Sequence, residues 1–194
     1  IGIYYCFIFL IGFFRFFLFD VNTSKLTLII KDWSFFKTFF IGIILIPLIE
    51  ESIFRLSIIF KPINLSVTIF FLSFIVGKIF LSIFIHNRLI VYSINIIFVF
   101  FLLRIIYPKL LIKKNELNLF WKKNIKYLCY FSIMFFSLSH IWNYNLLEVN
   151  LFLILFLILP QIISGIILVF LRLRYGFLYC LIFHSITNII PLLI

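Results

Sequence analysis

Long apolar runs dominate this chain, and a run about as long as a bilayer is thick leaves a chain few ways to fold. A span needs roughly 17–25 such residues. By that measure about seven segments qualify or nearly qualify, near 2–19, 38–60, 64–85, 89–107, 125–141, 150–171 and 176–193. In lipid, backbone polar groups must be satisfied within helices or closed barrels. A barrel would show short alternating segments rather than continuous apolar ones. The expectation is therefore all-α: a multispanning transmembrane helical bundle of about seven membrane segments, with the lipid bilayer as its first partner.

Composition points the same way. Apolar residues are 65% and charged residues 12%, against about 45–50% and about 25% in soluble domains. Little chain remains for a separate soluble domain. Residues 1–37 read as an N-terminal membrane helix and an interfacial connection, the latter carrying Asp20, Lys25, Lys31, Asp32, Trp33 and Lys37. Residues 38–194 read as the core. Arg15 and the lack of a small-residue cleavage site make the first segment a helix rather than a signal peptide.

The net charge of +11 raises nucleic acid as a partner. The cations, however, sit at the ends of apolar runs, with no basic stripe to follow phosphates, so nucleic acid is excluded. They read instead as topology determinants. Lys109, Lys113, Lys114, Lys122, Lys123 and Lys126 mark 109–126 as a cytoplasmic loop, and the Lys/Arg-free stretch 142–150 lies outside. Arg172 and Arg174 mark the return. Pro62, Pro108 and Gly176 punctuate three boundaries. Lys78, inside an apolar run, either snorkels or faces the bundle. His86 falls in a solvated loop. Cys6, Cys129 and Cys180 are too far apart in sequence to suggest a disulfide framework or a cysteine metal site.

Against this background the acids stand out. Only six carboxylates exist, and Glu50 and Glu51 lie together at the end of an apolar stretch. A central charge costs about 2.5–3.5 kcal/mol on insertion scales, so such residues point to function. Four residues along a helix share a face. Glu51 and Arg55 should therefore pair, while Glu50, about 100° round the helix, is left for chemistry. Pro47, one turn earlier, should free a backbone carbonyl and bend the helix.

Two later segments carry the other polar groups. His140 ends one apolar run, and His184 with Asn188 shares a face of the last one. A carboxylate with an imidazole can hold and deprotonate a water. An amide or imidazole N–H can stabilise an oxyanion. Ser139 beside His140 does not make a dyad by adjacency, and no nucleophile elbow is present.

Three motifs in order carry a resemblance: Glu50-Glu51-Ser-Ile-Phe-Arg55, Phe136-Ser-Leu-Ser-His140 and His184-Ser-Ile-Thr-Asn188. The chain resembles the CPBP family of intramembrane proteases, the CAAX prenyl endopeptidases and bacteriocin-processing enzymes, over roughly residues 40–190. The lead-in from Gly165 to Gly176 is similar too. The resemblance implies that Glu50 and His140 activate the attacking water. His184 and Asn188 would stabilise the oxyanion, and Glu51 with Arg55 would support the site. It implies a metal-free, glutamate-dependent cleavage of a membrane-associated peptide or protein, in a membrane such as the bacterial cytoplasmic one. The alternative cofactor is zinc, on Glu50, His140 and His184. Leu56 stands where many relatives have glycine, and residues 64–107 form an extra hairpin. Other classes stay open: a non-catalytic protein for bacteriocin self-immunity or scaffolding, and a proton-coupled transporter relaying through Glu50 and His184.

Overall fold

A computed structural model describes residues 33–144 and 151–193. The expected first span, 2–19, lies outside them, as do most of the 20–37 connection and residues 145–150. The described residues are helical nearly throughout, in the order α1 (Phe35–Lys37), a π-helical segment (Thr38–Leu45), α2 (Ile46–Phe54), a 3₁₀ turn (Leu56–Ile58), α3 (Pro62–Phe84), α4 (Arg88–Ile112), α5 (Lys114–Ser139), a second 3₁₀ turn (His140–Asn143), α6 (Leu151–Arg174) and α7 (Phe177–Leu193).

Among the described residues, three helices are long and apolar enough to cross a membrane: Pro62–Phe84, Arg88–Ile112 and Leu157–Arg174. They fall on the expected spans 64–85, 89–107 and 150–171. Three of the seven expected spans are thus met among the described residues. The 38–60 run is divided among the π-helical segment, α2 and a 3₁₀ turn, 125–141 takes in the second half of α5, and 176–193 holds the shorter apolar helix α7. The 109–126 stretch is not a loop. It runs from the end of α4 into α5, with a joint at Lys113 and Glu116 in the first turn of α5. Lys, Glu and Leu are good helix formers, and an acid suits a helix N-terminus. Pro108 does not end its helix either; four residues from the end it removes one hydrogen bond without stopping the last turn.

The chain forms two compact units. One comprises Leu48–Leu128. In it α3 begins with Pro62 at its start, where a missing N–H goes unneeded. Helices α3 and α4 pair as a hairpin, and Asn87 caps α4 by accepting from the Leu89 and Ile90 N–H groups. Buried Asn95 clamps the pair, its Nδ2 donating to the Phe74 carbonyl at 2.6 Å. The Phe74 and Tyr92 rings stack beside it. Gly77 is required at this crossing, because a methyl group there would strike the Asn95 amide oxygen. Thr68 of α3 donates to the Ser52 carbonyl at 2.7 Å, and Trp121 of α5 donates to that of Ser57, also at 2.7 Å.

The other unit takes the described residues up to Pro47 together with those from Cys129. Helices α6 and α7 are joined at Gly176, whose φ of 104° lies in the left-handed region that favours glycine. Its N–H returns to the Leu171 carbonyl and closes the helix end. Leu168 and Cys180 are fully buried between the pair, with the thiol donating to the Leu168 carbonyl. Helix α7 also packs on the π-helical segment.

Candidate functional site

The acidic pair sits in α2, which the structure begins with an irregularity. In the π-helical segment the Ile46 N–H reaches back five residues to the Ile41 carbonyl. The next donor in that register is residue 47, and its acceptor would be the Gly42 carbonyl. Residue 47 is proline and has no N–H. The Asn188 side chain supplies the missing bond, its Nδ2 donating to the Gly42 carbonyl at 3.3 Å. The freed carbonyl expected from Pro47 is thus accounted for, and Asn188 is what finds it.

Glu51 and Arg55 meet as their spacing predicts. Arg55 Nη1 donates to Glu51 Oε1 at 3.0 Å, and both side chains have no exposure to solvent. Backbone register carries through as well, the Arg55 N–H bonding the Glu51 carbonyl. Glu50, one position earlier, is half-buried. Leu56 opens the 3₁₀ turn that follows and is itself half-buried.

In the other unit both imidazoles pack on one ring. Phe136 is almost wholly buried, with His140 at 4.5 Å and His184 at 5.6 Å between ring centroids, each edge to face. His184 is buried and His140 half-buried. Nδ1 of His140 lies 2.8 Å from the Phe136 carbonyl. A carbonyl only accepts, so this bond requires the proton on Nδ1 and leaves the basic lone pair on Nε2. Ser139 Oγ donates to the same carbonyl at 2.7 Å and approaches His140 Nδ1 at 3.5 Å. A hydroxyl used in this way supports the ring's setting and is no nucleophile.

Phe136 has the wider role that sequence reasoning missed, having served only as a motif marker. Gly165 of α6 lies against it, where a methyl group would crowd Ile133 and come into ordinary contact with Phe136. Small residues at helix crossings in membranes allow such close approach, and the glycine was the available signal. Asn188 shares α7 with His184 as expected, and its amide makes the Gly42 bond described above.

The six expected residues therefore fall into groups. Glu50, Glu51 and Arg55 belong to one unit, His140, His184 and Asn188 to the other. The structure joins Glu51 to Arg55, and His140 and His184 through Phe136. Among the described residues no group of three His, Cys, Asp or Glu side chains is gathered as a metal site.

Among the described residues, fold and buried polar groups together define a class: a helical protein with three helices long and apolar enough to cross a membrane and with acidic, basic and imidazole side chains buried. No protein-family model matches the chain, and comparisons with curated proteins and with solved structures also give no match.

Proposed function

We propose that this chain is an intramembrane endopeptidase of the CPBP type, hydrolysing a peptide bond in a membrane-associated peptide or protein. The observation that carries the reading is the His140 Nδ1 bond to the Phe136 carbonyl, which leaves Nε2 as a base. In this reading Glu50 and His140 take a proton from water as it attacks the scissile carbonyl. The Glu51–Arg55 pair holds the backbone that presents Glu50. His184 and the second N–H of Asn188 donate to the oxyanion that forms. The proton then passes to the leaving amine. A bacterial cytoplasmic membrane is the proposed setting.

The test uses the full chain, expressed in cells and compared with its Glu50→Gln and His140→Ala variants by membrane proteomics. Each variant should lower the cleavage rate by about 10²–10⁴-fold and accumulate an uncleaved precursor. Wild-type cleavage patterns in both folded variants would defeat the proposal. The metal content of the purified protein, read alongside, distinguishes the zinc alternative.

One observation favours a second reading. Asn188 makes a structural bond to Gly42, a role that fits a non-catalytic protein for self-immunity or scaffolding equally well. Protection retained in a Glu50→Gln strain would select it.

A further inference from the structure

The α3–α4 hairpin carries an open cavity of about 560 Å³ where its helices meet, lined by Lys78, Ser82, His86, Arg88 and Tyr92 among others. Its polarity is one-sided. No Asp or Glu occurs between Glu51 and Glu116, so neither Lys78 nor Arg88 has a carboxylate on the hairpin. Lys78 Nζ lies 5.7 Å over the Tyr92 ring, which orients it into the cavity without cancelling its charge. Arg88 stands at the N-terminus of α4, the end of a helix that repels cations and attracts anions. Ser82 spends its hydroxyl proton on the Ile79 carbonyl. The cavity thus offers two cations and an imidazole to an anion.

Depth identifies the kind of anion. Helix α3 has 23 residues and α4 has 25, lengths of about 34 and 37 Å at 1.5 Å per residue, against a hydrocarbon core of about 30 Å. Helices of these lengths that cross such a core have ends in the headgroup layer. Lys78 lies six residues before the end of α3, about 9 Å along the axis, within reach of that layer for a lysine stem. The flanks are apolar and exposed: Ile79, Phe80, Ile83, Phe84 and Leu89. We propose that this cavity binds the phosphate of an anionic phospholipid, with Lys78 and Arg88 on the phosphate oxygens and the acyl chains along these flanks. The assignment is independent of any hydrolytic activity.

The test is fluorescence anisotropy of a labelled short-chain phosphatidylglycerol with the detergent-solubilised full chain. Unlabelled phosphatidylglycerol, phosphatidylcholine and inorganic phosphate serve as competitors. At about a fivefold effect per cation, replacing both Lys78 and Arg88 by Gln should weaken binding roughly thirtyfold. Lys109→Gln, at the far end of α4, should change it less than about twofold. Lys78→Arg should retain binding, and unchanged helical circular dichroism keeps a loss from reflecting misfolding. Phosphatidylglycerol alone should compete well. Equal losses in the Lys109 variant would reduce the effect to net charge and overturn the site. Equal competition by phosphatidylcholine would overturn the anion selectivity. Equal competition by inorganic phosphate would replace the lipid with a free anion.

Discussion

Charge is handled in two opposite ways within the unit Leu48–Leu128. Glu51 and Arg55 are both sealed from solvent and neutralise one another at 3.0 Å. Lys78, His86 and Arg88 are exposed, share one sign or none, and meet no carboxylate on their hairpin. A buried ion has to be compensated by the protein, because desolvation costs several kcal/mol per ion. An exposed one at the headgroup layer can be compensated from outside. The contrast assigns the first pair to the architecture and the second cluster to the surroundings.

The strongest way to break this contrast is at the buried pair. Arg55→Met removes one partner and leaves the other carboxylate sealed, a loss of about 3–5 kcal/mol in unfolding free energy. Pairing with Glu51→Gln should restore a large part, since a neutral, well-packed site carries no uncompensated charge. Denaturant unfolding of the wild type, both single variants and the double variant in detergent gives the coupling. Additive effects would mean that the two groups do not act as a pair.

That pair was legible from sequence because four-residue spacing on a helix is enough to specify it. So were three of the spans, whose runs stay apolar over the length of a crossing despite an isolated polar residue. Other features depend on partners distant in sequence. Asn188 reaches Gly42 only because α7 packs on the π-helical segment; spacing to His184 suggested its face and not its acceptor. Pro47 announced a freed carbonyl, but an α-helical register would have pointed to residue 43, and the π register moves the acceptor to Gly42. Lysines in 109–126 suggested a loop because charge was weighed above helix propensity. Asn95 sat unnoticed in an apolar run, although a polar amide at membrane depth is a signal in itself.

A middle-sized effect should come from the clamp that holds the α3–α4 hairpin without charge. Glycine to alanine in a helix ordinarily stabilises by about 0.8–1 kcal/mol. At position 77 the sign should reverse, to a loss of about 1–3 kcal/mol, because the new methyl group meets buried Asn95. In an Asn95→Ala background the same change should become neutral or stabilising. Thermal unfolding followed by circular dichroism reads the sign directly, and a stabilising Gly77→Ala in the wild-type background would show that the helices do not cross there.

The smallest effect is expected at the exposed cluster, and its smallness is what the comparison requires. Lys78 makes no ion pair on its hairpin and faces outward. In detergent free of anionic lipid, Lys78→Gln should leave the melting temperature within about 2 °C of wild type, as surface substitutions do. Adding phosphatidylglycerol should then raise the wild-type temperature and leave a Lys78→Gln/Arg88→Gln variant nearly unmoved, because a ligand stabilises only the form that binds it. If Lys78→Gln instead lowered the temperature as far as Arg55→Met does, without lipid present, the lysine would belong to the interior. The two placements of charge would then be one.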